Sequence, residues 1–192
     1  MLRLQLPRLA ERHDSTIVLS LFCFINGGLS IGIMALLALI TGQVFVFPSL
    51  GPTAFLFFYT PLAPVASPRN AICGHLIGVL GGWTSLALFG LTDVGPAISE
   101  GVDGPRVAAA ALSLGLTGGA MVLLKAPHPP AGATTLIISL GILRSPEQMV
   151  ILMAAVVLLT LQAITINRLA GLPYPFWASA PASTPRPSRE NN

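Results

Sequence analysis

Apolar residues run in long blocks along this chain, and polar positions fall mostly between them. Four blocks predict long helices over Ile17–Thr41, Asn70–Leu91, Val107–Leu124 and Glu147–Asn167. Two starts are marked: Ser67-Pro68 and Ser145-Pro146 place an N-cap before proline at the first helical position, and Ser145-x-x-Gln148 completes a capping box. Between the blocks the pattern breaks twice in the same way. The hexapeptide Pro-x-x-Gly-x-Thr occurs as Pro48-Ser49-Leu50-Gly51-Pro52-Thr53 and again as Pro129-Pro130-Ala131-Gly132-Ala133-Thr134. Each copy is followed by a short apolar run, Phe55–Tyr59 and Leu136–Leu140, which predicts a half-helix opening near Thr53 and near Thr134.

Composition fixes the solvent of these helices. Of 192 residues, 53% are hydrophobic and only 9% charged, with a mean hydropathy of +0.78. A soluble domain carries about 25% charged residues. Ile17–Thr41 and Val107–Leu124 contain no charge and exceed the roughly 17 residues needed to cross hydrocarbon. The chain is therefore predicted to be an all-α membrane protein: four long transmembrane helices plus two Pro/Gly-broken half-helix segments. The net charge of +3 is not a nucleic-acid signal, because six of the ten basic residues sit at the ends and none form an aromatic-interleaved face. Arg3, Arg8 and Arg12 precede the first span, and Arg168, Arg186 and Arg189 lie at or beyond the last. That distribution predicts cytoplasmic termini by the positive-inside rule. Ile17–Thr41 is too long for a signal-peptide core, and Glu11 and Asp14 do not suit a transit peptide, so a bacterial inner membrane fits best.

The repeat reaches beyond the hexapeptides. Ser30-x-Gly32 precedes Pro48 much as Ser113-x-Gly115 precedes Pro129, and the cap Ser67-Pro68 matches Ser145-Pro146. The predicted domain is thus residues 17–170, with one repeat over 17–91 and a second over 107–168. An N-terminal cytoplasmic segment, 1–16, precedes it. After it comes an aromatic anchor (Tyr174, Phe176, Trp177) and a Pro/Ser-rich disordered tail. If each broken segment dips and returns, the units are parallel. If it crosses, each unit crosses three times and the units are inverted. The acidic connection Thr92–Gly104 suits an external loop, which favours the inverted arrangement and places Arg69 inside. Glycines aligned at Gly28/Gly32, Gly74/Gly78/Gly82 and Gly115/Gly119 suit close helix contact, either within the chain or with a second copy in a homo-oligomer.

Backbone freed by proline and glycine survives at membrane depth only where protein buries it or a cavity solvates it. The two half-helix starts would present N–H groups and the positive end of the helix dipole, which together favour a small anion. Candidate binding residues are therefore Ser49, Leu50, Gly51 and Thr53 in the first copy, and Pro129, Pro130, Ala131, Gly132, Ala133, Thr134 and Thr135 in the second. Lys125 and His128 are the ionisable residues of the stretch Val107–Ile142; at membrane depth such groups point to function, although a snorkelling lysine and a backbone-capping histidine are the bland counterparts. Arg69-Asn70, opening a long helix after its cap, would meet the anion on entry or simply sit at the interface. His75, near Cys73, lacks partners at metal-ligand spacing and is expected to be a packed, hydrogen-bonded histidine. Cys23 and Cys73 are expected to be apolar fillers, and no cofactor is implied.

The segments Ala-Pro-His128-Pro129-Pro130-Ala-Gly132-Ala-Thr134, Phe-Pro48-Ser-Leu-Gly51-Pro-Thr53-Ala and Ser-Pro68-Arg69-Asn70 closely resemble the HPP family of integral membrane proteins, named for its His-Pro-Pro tripeptide. The resemblance covers roughly residues 15–170. It implies a four-helix membrane fold and, since plastid members are associated with nitrite transport, movement of nitrite or a similar monovalent anion. The fused nucleotide-sensing domains of some relatives have no counterpart in this sequence. A non-transporting scaffold or assembly subunit is the alternative. An enzyme is disfavoured, because no nucleophile pair, carboxylate pair or metal cluster is legible.

Overall fold

A computed structural model describes residues 6–179, so expectations for Arg3, Arg186, Arg189 and the tail from residue 180 onward lie outside the described residues. The described chain is helical, without strands. It comprises α1 (Leu6–Arg12), α2 (Ser15–Thr41), α3 (Leu50–Tyr59), α4 (Pro68–Leu88), α5 (Ala97–Glu100), α6 (Gly104–Leu123), α7 (Ala131–Ser139) and α8 (Pro146–Leu169), with a 3₁₀ turn at Pro64–Ala66 before α4. The helices α2, α4, α6 and α8 are long and apolar enough to cross a membrane. The two short helices α3 and α7 follow the Pro/Gly breaks, starting three residues before Thr53 and Thr134.

Local chemistry sets these boundaries. Asp14 caps α2 by accepting from the N–H groups of Thr16 and Ile17 at 2.8 and 3.1 Å, and those donors, Ile17 first, hold its carboxyl below the usual carboxylate range. Ser67 and Asp103 accept from Asn70 and Arg106 N–H at the starts of α4 and α6. Ser145 and Gln148 form the reciprocal capping box of α8. Gly42, at φ +69°, ends α2 in the left-handed conformation that glycine adopts without strain.

Contacts at the helix ends give the chain its directions. Arg69, at the start of α4, donates to the carbonyls of Leu124 and Lys125 at the end of α6, so α4 and α6 are antiparallel. The segment that follows α6 begins at this end and finishes at the other, where Ala97 N–H donates to Leu140 O at 2.9 Å and Arg144 to Val94 O at 2.8 Å. The α7 segment therefore traverses the bundle alongside α4 rather than turning back. The end of α3 returns to the first end, where Asn167 of α8 donates to Phe57 O and Leu6 N–H to Ala170 O.

Packing separates the glycine faces. A Cβ at Gly74, Gly78 or Gly82 would stand 2.6–2.8 Å from atoms of His128, Ala131, Thr135 or Ile138, so these three glycines form the bed on which the α7 segment lies. Gly28, Gly32, Gly115 and Gly119 have nothing within 4 Å. The aromatic stretch also divides. Phe176 and Trp177 are exposed, whereas Tyr174 is fully buried, donates to Ala66 O at 2.6 Å and packs edge-on against Phe57. Tyr174 is thus an internal strut and not part of an interfacial anchor: its hydroxyl finds its partner inside the bundle, and burial pushes the phenol well above its ordinary range.

Candidate functional site

Both broken segments meet at one buried cluster. Thr53 Oγ1, on the first turn of α3, lies 2.9 Å from His75 Nε2 and 3.3 Å from His128 Nε2. His75 Nδ1 in turn lies 2.7 Å from Thr134 Oγ1, on the first turn of α7. His128 Nδ1 donates to Val65 O at 2.8 Å, in the 3₁₀ turn. The two rings stand 5.0 Å apart, and Thr53, His75, His128 and Thr134 have no exposed surface. The two hexapeptide threonines are thereby joined through a histidine of a third element, α4.

The bridge depends on the glycine bed. Gly74 precedes His75, and its missing side chain leaves room for His128 Cβ; Gly78 likewise leaves room for Ala131 O. Close approach of the α7 segment to α4 is what brings His75 within reach of Thr134. His75 is packed and hydrogen-bonded, as its surroundings in sequence predict. Its position between the two threonines is not legible from spacing alone, and it belongs in the candidate site. The usable signal was its place beside Gly74 on a glycine-lined helix.

The anticipated N–H donors are mostly occupied, which corrects that part of the sequence picture. Ala131, Gly132 and Ala133 N–H donate to the carbonyls of His128, Pro129 and Pro130 at 3.0, 2.9 and 3.1 Å, and Leu50 N–H donates to Phe47 O. Each break closes into a tight turn before its helix begins, and that turn consumes the donors a free helix start would leave. Among the described residues, Gly51 N–H donates to no backbone carbonyl, and Pro52 has none to offer. Ser49 Oγ is buried and without a hydrogen-bond partner at the same break.

Other predicted site residues are placed elsewhere. Lys125 is exposed at the end of α6, where it adopts φ +51° and offers only its carbonyl to Arg69. Arg69 is turned toward the carbonyls of Leu124 and Lys125, and Asn70 Nδ2 donates to Pro64 O and Pro127 O at 3.0 and 3.3 Å. These three form a clip between the end of α6 and the start of α4, where Asn70 lies five residues before His75. Pro129 is exposed, while Leu50, Pro130 and Ala131 are buried.

A second polar cluster lies further along α7. Ser113 Oγ donates to Ser139 Oγ at 3.0 Å, and Thr135 Oγ1 to Ser113 O at 3.4 Å. Thr117 Oγ1 is buried without a partner and faces Gly81, whose Cβ would come within 2.6 Å of it. At the end of α7, the guanidinium of Arg106 donates to Ser139 O at 3.2 Å and Gly95 O at 2.8 Å. Arg106 is 2% exposed, and Gly141, at φ +78°, leaves it room. Sequence reading starts this helix at Val107 and so passes over Arg106, although Asp103 three residues earlier marks an N-cap that includes it.

Comparison with known proteins adds identity to this geometry. A transmembrane protein of Dictyostelium discoideum is 33% identical over 95 residues, which cover 49% of this chain and 27% of that protein. No solved structure matches the chain. The family described as HPP, transmembrane region, matches residues 12–175, a span that includes both hexapeptides, His75 and the four long helices. With most of its length matched, the chain is an integral membrane protein that belongs to the HPP transmembrane family.

Proposed function

We propose that the chain is a transporter or channel for a small inorganic monovalent anion, nitrite by family resemblance, with its substrate site where α3 and α7 meet α4. The carrying observation is the convergence of both broken segments on a buried cluster of hydroxyls and imidazoles, Thr53–His75–Thr134 with His128, into which no carboxylate of the described residues hydrogen-bonds. A cation path wants acidic side chains or rings of carbonyls. Hydroxyl donors and a chargeable imidazole suit an anion instead. The open donors proposed for the anion are the Ser49 hydroxyl and Gly51 N–H, with Thr53, Thr134 and His128 lining the site and His128 supplying its titratable charge. Arg69 and Asn70 hold the surrounding backbone, the Lys125 carbonyl included.

The same reading takes α2–α3–α4 and α6–α7–α8 as two inverted three-crossing units. In its support, α7 runs from the end of α6 to the connection carrying Asp93, Glu100 and Asp103, while α3 ends beside Asn167 of α8. Arg8, Arg12, Arg69, Lys125 and Arg168 gather at the opposite end, which we assign to the cytoplasm of a bacterial inner membrane.

The test is nitrite flux into proteoliposomes. Wild-type protein should exceed protein-free vesicles, and His128→Gln and Thr134→Val should each lose most of that excess. Equal flux from all three proteins would move the site elsewhere. The occupied N–H groups of α7 favour one other reading, a closed structural cluster in a non-transporting scaffold, which predicts no wild-type flux.

A further inference from the structure

The histidine–threonine cluster holds one hydrogen fewer than its contacts can use. The five contacts are Val65 O with His128 Nδ1, His128 Nε2 with Thr53 Oγ1, Thr53 Oγ1 with Ser49 O at 2.9 Å, Thr53 Oγ1 with His75 Nε2, and His75 Nδ1 with Thr134 Oγ1. Each needs one hydrogen. With both rings neutral, His75, His128, Thr53 and Thr134 supply one each, so one of the five contacts goes without.

The partners fix where the shortage falls. Val65 O only accepts, so His128 carries its hydrogen on Nδ1 and Nε2 is left as an acceptor. If His75 carries its hydrogen on Nε2, it donates to Thr53 and receives from Thr134. The single Thr53 hydrogen must then choose between His128 Nε2 and Ser49 O, both acceptors within reach. A hydrogen added at His128 Nε2 ends the conflict. His128 then donates to Thr53, Thr53 turns to Ser49 O, and all five contacts are filled. An extra hydrogen on His75 Nδ1 instead would displace the Thr134 donor and leave the Thr53 conflict in place.

We propose that His128 Nε2 takes up one proton together with each anion, the Thr53 hydroxyl turning from His128 to Ser49 O as it does so, which makes transport an electroneutral proton–anion symport. The step rests on the anion site proposed above. The N–H bond forms at His128 Nε2 as an O–H bond breaks, either in hydronium at the entry side, which leaves water, or in the acid form of the substrate, which leaves the anion; it breaks again when proton and anion leave at the other side. A proton alone would leave one uncompensated charge in a dry cluster, and an anion alone would leave the opposite one; together they leave none.

Among the described residues, the groups placed against the cluster carry no negative charge to compensate the proton in advance. From α4, His75 faces His128; from α3 come Thr53 and Phe57, with Tyr174 of the C-terminal segment behind Phe57. From α8 the neutral Asn167 donates to Phe57 O. Arg69 and Lys125, of α4 and the end of α6, sit at the bundle end, Arg69 directed at carbonyls. Among the described residues no Asp or Glu hydrogen-bonds or pairs with the cluster.

The experiment uses full-length protein in proteoliposomes with an internal pH dye and a potassium–valinomycin clamp, after subtraction of protein-free vesicles. Nitrite entry should bring in one proton per anion, and its rate should be insensitive to imposed voltage. Thr53→Ser should keep that ratio and Thr53→Val should lose it. Nitrite flux that follows voltage without internal acidification overturns the symport while leaving the anion site standing. Absence of wild-type nitrite flux under every gradient overturns both. A readout independent of flux is ¹⁵N NMR of histidine-labelled wild-type protein: nitrite should convert one histidine to the form with both nitrogens protonated, and an unchanged spectrum overturns the proposal.

Discussion

The two broken segments share a hexapeptide and meet at the same cluster, yet they are held in different ways. The α7 segment lies on the bed of Gly74, Gly78 and Gly82 and is fixed at both ends. Asn70 takes Pro127 O where it begins, and Arg106 takes Ser139 O where it finishes. The α3 segment has no such bed. Gly51 meets nothing within 4 Å, Phe55 and Tyr59 are about half exposed, and the neighbouring α2 is exposed along much of its length. The start of α3 is held by side chains, through the burial of Phe47, Leu50 and Ala54 and the three contacts of the Thr53 hydroxyl. One wall of the cluster is therefore set by backbone approach and the other by side-chain packing and hydrogen bonds.

The largest effect should come from spoiling the bed. Gly78→Leu sets a side chain against Ala131 O, a backbone atom that cannot rotate away. We expect a loss at the upper end of the roughly 1–3 kcal/mol that overpacking costs, read from unfolding in detergent. Gly115→Leu, on a face with nothing within 4 Å, should lose nothing. Equal losses would show that α7 is not held by backbone approach.

Next comes the far clamp of α7. Arg106→Met strips the buried carbonyl of Ser139 and the partly buried carbonyl of Gly95 of a charged donor. A hydrogen bond to a charged group is worth roughly 1.5–3 kcal/mol, but the variant also removes a buried charge, so a net loss of about 2 kcal/mol is expected. Arg69→Met, at the partly exposed clip, should cost less than half as much. The reverse order would place the weight of the fold at the clip.

The two threonines compare the walls directly. Thr53→Val removes three contacts and Thr134→Val removes one. With both rings neutral only two of the three Thr53 contacts carry a hydrogen, so at about 1 kcal/mol per buried hydrogen bond the α3 variant should lose about 2 kcal/mol and the α7 variant about 1. If Thr134→Val proves the more damaging, α7 depends on the cluster more than on its glycines.

These expectations also mark what the sequence could and could not reveal. The four long helices are legible because a charge-free run of about 20 residues admits few other structures, and their starts because Ser-Pro and the capping box act locally. The two half-helices are legible because proline and glycine break a pattern visibly. What joins them is not local. His75 reaches Thr53 and Thr134 across 22 and 59 residues, through an approach that exists only once α7 settles on α4. Arg106 escapes for the opposite reason: an arginine at a helix start usually points to water, and only the fold reveals that it turns inward to carbonyls.

The smallest effect on stability should come from Ser49, and it is the most discriminating. Its hydroxyl is fully buried without a partner, so Ser49→Ala removes an unsatisfied polar atom and should leave stability unchanged within about 0.5 kcal/mol or improve it slightly. A purely structural cluster would give the variant no phenotype. If instead the anion sits against α3, this hydroxyl is the donor left open for it, and flux should fall several-fold with no change in folding. Retained flux would remove Ser49 from the site and shift the anion toward the Thr134 wall. Loss of flux alone would identify α3, the less tightly held of the two segments, as the wall that grips the substrate.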